Sequence, residues 1–506
     1  MVGTFFPFWE RLRLRWRETA LLLIAFLVFS LSFYSFTTNP PTWFDEGVLF
    51  QVVKNIANDG THGAQLTPGT FSDISLISVG YPALYPAALA VRLFGADIGV
   101  LRLVAIGYLL GFILVFFLLA RRLFGIDSAI FSTLLLGTFA PVYGNGKNFL
   151  GEVPGLFYFA VALLLLSVVE RAHEERRRQI FIALLSGVGF GLAMSTKPSF
   201  LIIGPSMALA TLIFWRRISG ELKKPAMVGA VFIGTLLSLA AWIVTQFGIS
   251  DSFQRIFTHY SNPYYVTDFL PLVITNILRF FTEITPMHFL VLFLVAVAFL
   301  VERCRERAHI FLSEGIVLFF AVFTVIFYVR TAGWYRYFFP AHVLLFLFLP
   351  VGLAFFFDKA KNIFKFPDKR ILLLLFLFIG GIQIIPLWQW ISQNANDPMT
   401  ELAPYLDDLS ARNVAPFFYN IPAIASRFTG TEFFQYIKMS DQLILGKENE
   451  ALLRQGVFTT VLVSTDAADE IKNVPNCYFL RQQVGKLLFF ERDLRRSCVL
   501  PDARKS

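Results

Sequence analysis

Cysteine is scarce, three in 506 residues, which excludes a disulfide scaffold and any Cys-rich zinc or iron–sulfur module. Charge is equally thin. Asp, Glu, Lys and Arg make up 16% of the chain where a soluble protein carries roughly a quarter, so an ordinary cytosolic globule is excluded. The six histidines form neither an HExxH motif nor any paired ligand spacing; His62 and His259 stand alone, and a lone loop histidine is usually not a ligand. A phosphate-binding loop is also missing. Gly144-Asn145-Gly146-Lys147 has the ending of one, but Pro141 and Asn148 occupy the positions of its first glycine and its Ser/Thr. Gly187, Gly189 and Gly191 fall inside an apolar run and not after a soluble strand, so they read as close helix packing and not as a dinucleotide turn.

Apolar side chains fill the remaining space: 56% of residues are hydrophobic, and Phe alone contributes 59. The bilayer is the expected solvent. A spanning helix needs about 20 apolar residues, and eleven runs approach that length: Thr19–Phe36, Val100–Ala120, Ser128–Val142, Val153–Val169, Ile180–Ser195, Phe200–Trp215, Ala226–Thr245, Met287–Val301, Ile310–Val329, Phe338–Phe357 and Ile371–Ile391. Alternate loops differ in basic residues, 22 Lys and Arg on one set against about eight on the other, tail excluded. The rich set faces the cytoplasm by the positive-inside rule. This distribution explains the net charge of +9 as membrane anchoring beside anionic lipid and gives no reason to expect nucleic acid. The first run lacks a small-x-small cleavage site and is expected to stay as a helix. With the N-terminus cytoplasmic, an odd number of spans leaves the C-terminus outside, in the manner of a multi-pass inner (plasma) membrane protein.

The expected fold is thus a polytopic all-α membrane domain over residues 1–391, followed by a small extracytoplasmic α/β domain over 392–506. The tail, with 13 basic and 14 acidic residues, alternates helix-like stretches (Thr400–Ala411, Glu448–Gln455) with strand-like runs (Ala415–Tyr419, Phe458–Val463, Tyr478–Gln482, Lys486–Phe490). Cys477 and Cys498 both lie in this tail, in an oxidising compartment if the topology holds, and are candidates to pair. Cys304 faces the cytoplasm.

Two extracytoplasmic loops are long, 37–97 and 247–286, and long ordered loops at one face of a bundle are the usual place to build a site. The first opens with Pro40-Pro41-Thr42-Trp43-Phe44-Asp45-Glu46-Gly47. A carboxylate there, partly desolvated, is a candidate base toward a hydroxyl; a solvated acidic pair capping the next helix is the plainer alternative. Glu152, Lys197, Arg330, Arg336 and Tyr337 are expected on the same face. Each charge at membrane depth is a site candidate, although snorkelling explains any single one. Acids together with several cations form the inventory of a site that activates a hydroxyl and stabilises a departing phosphate.

In order and spacing, several short motifs resemble the GT-C glycosyltransferases of the superfamily holding protein O-mannosyltransferases and lipid A aminoarabinose transferases. They are Trp43 to Glu46, an Asn-x-x-x-x-Gly stretch ending at Gly60, GYPALYP followed by RLFG and Leu101-Arg102-Leu103, ARRLFG, Glu152 with Pro154, GLAMSTK, and Arg336-Tyr337-x-x-Pro340. The resemblance implies transfer of a sugar from a polyprenyl-phosphate carrier to a glycan, lipid or protein acceptor on the extracytoplasmic face, with inversion. It implies Asp45 as general base and Glu46 and Glu152 as residues shaping the sugar or acceptor pocket. Lys197, Arg336 and Tyr337, with Arg330 beside them, would hold the lipid phosphate. No residue pattern calls for a metal, and a divalent cation is left open as a cofactor. The chain departs from the aminoarabinose transferases at Gly80-Tyr81-Pro82, where they carry Lys-Pro-Pro, and at Val48, where they carry arginine, so the donor sugar is not implied. The competing class is a transporter or flippase of polyprenyl-linked glycans, which would show broken helices and charges inside spans.

Overall fold

The computed structural model describes residues 6–73, 77–171, 175–217, 219–247, 269–364, 369–393, 398–439 and 443–498. His259 and most of the loop 247–286 lie outside them.

Every one of the eleven apolar runs is helical, though not as eleven equal spans. Among the described residues eight helices are long and apolar enough to cross a membrane, and two bent pairs raise the number to ten. The straight ones include α1 (Phe6–Phe33), α4 (Ile98–Phe124), α7 (Glu152–Arg171), α8 (Arg176–Thr196) and α10 (Pro225–Gln246). The third run is α5 (Ile126–Gly137) and α6 (Ala140–Gly146), bent by 67°, and the tenth is Phe339–Leu345 with Leu349–Lys359, bent by 44°. Pro141 and Pro340 stand in the first turns of the helices beyond or before these bends, where a missing N–H costs nothing. The sixth run is a shorter apolar helix, Pro198–Phe214, whose end Ile203–Phe214 is α9.

Glycine sets the tightest crossing. A Cβ on Gly187 in α8 would overlap the Val231 carbonyl of α10, so these two helices approach at backbone distance, as small residues allow where hydrocarbon offers no hydrophobic drive.

The first long loop is structured throughout its described part. It holds α2 (Phe44–Asp59), a hairpin of β1 (Gln65–Thr67) with β2 (Thr70–Phe71), and α3 (Tyr81–Phe94). The second, expected as a loop, contains a helix of its own, Phe269–Thr282, which places Asn276 and Phe280 inward. Asn276 Nδ2 donates to the Thr331 carbonyl at 2.8 Å and Arg279 donates to that of Gly333, so this helix pins the chain just ahead of Arg336.

The tail forms a six-stranded sheet in the order β5-β4-β3-β6-β8-β7. Strand β3 (Phe417–Tyr419) runs parallel to β4 (Phe434–Lys438) and β6 (Thr460–Ser464), and the outer pairings with β5 (Ile444–Leu445), β8 (Leu487–Arg492) and β7 (Tyr478–Val484) are antiparallel. A disulfide joins Cys477 to Cys498. Strand β4 carries no apolar alternation that separates it from its surroundings, and the sequence does not announce it.

The sheet domain is docked on α2 without a gap. A Cβ on Gly47 would strike the backbone of Ala423, and Gln51 and Gln435 exchange side-chain amide bonds at 2.7 and 3.3 Å. Asn449 Nδ2 donates to the carbonyls of Leu66 and Gln435, both at 2.9 Å. All of these amides are buried, and buried amides with partners on both sides hold the domain in one register.

Candidate active site

A cavity of about 760 Å³ opens where the first loop, the ends of several spans and the sheet domain meet. Its size falls within the roughly 300–1,000 Å³ of small-molecule sites. Four of the seven residues singled out from sequence line it: Asp45, Lys197, Arg336 and Tyr337.

Local structure explains how each arrives. Asp45 is in the first turn of α2, and Glu152 opens α7; helix N-termini favour ionised carboxylates. Lys197 precedes Pro198, which disfavours helical backbone one residue earlier. It accordingly adopts φ −156°, ψ 136°, ending α8 and turning its side chain out of the helical row. Arg336 and Tyr337 belong to a single 3-10 turn, Tyr335–Tyr337, between the Arg279-held loop and the Pro340 helix.

Two ion pairs organise the charge. Arg336 Nη1 donates to Asp45 Oδ2, and Lys197 Nζ donates to Glu152 Oε1 at 2.5 Å and to the Leu150 carbonyl at 2.9 Å. Burial pulls the Lys197 ammonium below its ordinary value; Glu152 opposes that pull and Arg336 adds to it. A lowered value means the charge is lost at a lower pH than for a free lysine. Replacing Glu152→Gln removes the main opposing influence, so the Lys197 ammonium is expected to lose its charge at still lower pH. The pH dependence of amine labelling at Lys197 in both proteins checks this, and a profile unmoved by the substitution would refute it.

Glu46 is not at the cavity. One residue further along α2 turns its side chain by about 100°, into the protein, where it meets Arg102 of α4: Nε to Oε1 at 3.0 Å and Nη2 to Oε2 at 2.6 Å, with both side chains 0% exposed. Arg102 Nη1 also donates to the carbonyls of Phe36 and Pro40 at 3.0 and 2.8 Å, and Glu46 Oε1 accepts the Phe149 N–H at 3.2 Å. Glu46 therefore does not shape the pocket surface; it ties the entry to α2 and the segment before Glu152 to one span. Arg330 is likewise elsewhere, lying over the Phe269 ring at 5.6 Å.

The residues missed by sequence reasoning include several aromatics and a group from the tail. Trp43, Trp334 and Tyr335 line the cavity, and Trp334 stacks parallel to Tyr337 at 5.9 Å. Asn420, Lys438, Met439 and Leu443 close it from the sheet domain. An arginine inside the apolar run at 102 is a usable signal, since such a charge demands an acidic partner; no comparable signal marks the tail residues. Among the described residues no group of three or more His, Cys, Asp or Glu is placed to hold a metal ion.

Comparison with known proteins follows the same lines. Residues 82–243 match the family model for dolichyl-phosphate-mannose-protein mannosyltransferase. No protein of curated function matches the sequence. The fold is of the GT-C type, shared with the following solved structures. ArnT from Cupriavidus metallidurans, solved in the apo state, superposes with a TM-score of 0.61 at 14% identity, covering 93% of this chain and 97% of its own. ArnT bound to undecaprenyl phosphate gives 0.59 at the same identity and coverage. The Archaeoglobus fulgidus oligosaccharyltransferase AglB, in complex with an inhibitory peptide and a dolichol-phosphate, gives 0.56 at 12% identity, covering 98% of this chain and 75% of its own.

Proposed function

We propose that the protein is an integral-membrane glycosyltransferase that moves a sugar from a polyprenyl-phosphate donor to an acceptor hydroxyl, with inversion. The observation that carries this reading is the meeting of a half-exposed carboxylate, Asp45, with the cations Arg336 and Lys197 in one cavity walled by aromatics. A base and a phosphate grip within one small volume can act on the two ends of a single displacement. Trp43 and Trp334, both partly exposed, offer apolar faces to a sugar ring or to the first isoprene units. In a cavity partly closed to water, fixed cations stabilise a phosphate leaving group far better than they would in solution. Tyr337 completes the phosphate side. Glu152 acts through Lys197, and Glu46 through the backbone of α2.

The membrane placement that accompanies this reading has the N-terminus in the cytoplasm and the cavity and sheet domain outside the inner (plasma) membrane. Two observations support it. The basic loops lie at the ends of the spans opposite the cavity, and the Cys477–Cys498 bond belongs in an oxidising compartment. A glycan, lipid or protein could supply the acceptor hydroxyl.

The two broken spans favour a second reading, a transporter or flippase of polyprenyl-linked glycans, since interrupted helices line many transport sites. Mass spectrometry of envelope lipids and glycans from a strain lacking the gene separates the two. A transferase deletion is expected to remove one sugar mass from an otherwise normal product and to leave its polyprenyl-phosphate sugar unspent. Complete glycans held on the carrier, with no sugar missing, would favour transport and defeat the transferase reading.

A further inference from the structure

Both cations assigned to the donor phosphate are already matched with acids. Arg336 sits on Asp45, and Lys197 sits on Glu152. The two pairs are not equivalent. The side chains of Glu152 and Lys197 are 2% and 10% exposed, whereas Asp45 is 43% exposed and Arg336 15%. Parting a buried pair strands a charge in low dielectric; parting a half-solvated one costs far less. Lys197–Glu152 is therefore the fixed half of the site and Arg336–Asp45 the exchangeable half.

We infer that Arg336 changes partner during the reaction, holding Asp45 in the empty site and passing to the departing phosphate as Asp45 takes the acceptor proton. This rests on the transferase reading above. The charges balance in a single step. The donor diester carries one negative charge. The acceptor O–H bond breaks and its proton goes to the Asp45 carboxylate, while the acceptor oxygen bonds to the anomeric carbon. The bond from that carbon to the phosphate oxygen breaks, and its electron pair stays on the phosphate. Asp45 thus loses its negative charge as the phosphate gains its second. One guanidinium facing both serves whichever is anionic, and the net charge of the cavity does not change.

The surroundings suit such a movement. The Arg336 guanidinium carbon lies 4.7 Å from the Trp334 ring and 5.5 Å from that of Tyr337, and these rings are stacked parallel. A planar cation can slide along this aromatic wall without losing its contact with it. A lysine, hydrated and non-planar, would not. The arrangement also predicts an order of events: Arg336 stays on Asp45 while the donor is a monoanionic diester, and leaves it as the carboxylate takes the proton and the phosphate gains its second charge.

A double-mutant cycle on binding tests the exchange. Undecaprenyl monophosphate, in lipid nanodiscs, is titrated against the wild-type protein, Asp45→Asn, Arg336→Gln and the double variant. If the phosphate must take Arg336 from Asp45, Asp45→Asn binds about tenfold more tightly than wild type, and Arg336→Gln erases that gain. A gain that persists in the Arg336→Gln background means simple charge repulsion and overturns the exchange; so does the absence of any gain. Both of those results leave the donor assignment standing. Failure of the wild-type protein to bind the lipid phosphate overturns the transferase reading, and the exchange with it. Asp45→Ser serves as the second variant should Asp45→Asn not fold.

Discussion

Asp45→Asn is expected to reduce sugar transfer by about two to four orders of magnitude, the range over which a positioned general base contributes. The substitution is nearly isosteric. The new amide would keep an oxygen toward Arg336 while losing the capacity to accept the acceptor proton, so the loss should appear in kcat. Asp45→Glu would move the carboxylate by one methylene along the same direction and retain a fraction of the rate. The measurement is initial-rate transfer from a polyprenyl-phosphate sugar by purified protein, with the thermal midpoint recorded beside it. A full rate in Asp45→Asn would remove this residue from the chemistry, whatever its position in the cavity. Because the Asp45 side chain is 43% exposed, its replacement is expected to leave the fold intact.

The second large effect is on folding and concerns the pair that stands just behind the site. Arg102→Met would leave the Glu46 carboxyl without its cation at 0% exposure, a change worth roughly 3–5 kcal/mol against a total stability of about 5–15 kcal/mol. It would also strip donors from the carbonyls of Phe36 and Pro40. The expected result is protein that fails to accumulate or melts far below wild type in detergent. The double variant Glu46→Leu with Arg102→Met removes the stranded carboxyl and should recover part of that loss. Recovery would stay incomplete, because the two carbonyls and the Phe149 N–H remain without their partners. Size-exclusion profiles and thermal midpoints of both variants decide the matter; a single variant as stable as wild type would show the pair to be dispensable.

These two neighbours in sequence, Asp45 and Glu46, show where sequence reasoning reaches its limit. Both look alike as letters after an aromatic pair, and both qualify on sequence as candidates for the same pocket. Helical rotation separates them: one faces the cavity and the other the core. A similar divide runs through the cations. Lys197 is recognisable because proline follows it, and Arg336 because a proline follows the aromatic-rich stretch that holds it, so each lies at a helix break where a side chain can leave the row. Arg330, only six residues earlier, also sits at a helix end, capping Leu312–Val329, yet it turns to Phe269 instead.

The tail tells the opposite story. Its two longer described helices and four of its six described strands follow from local pattern, yet Asn420, Lys438, Met439 and Leu443 give no sign of belonging to a site whose other residues run from Trp43 to Tyr337. They reach it because Gln51, Gln65, Gln435 and Asn449 lock the sheet onto the first loop. Those amides pair across a fold, and nothing in their own surroundings foretells the partner.

Hydrophobic run length and the uneven placement of Lys and Arg are one-dimensional properties, fixed by the thickness of the bilayer and the charge of its inner face, and the chain alone therefore carries its membrane class and the approximate positions of its apolar helices. Which acid faces the cavity, which cation it meets, and that the last hundred residues wall the site depend on side-chain direction and on contacts between distant segments. Only packing in three dimensions decides those.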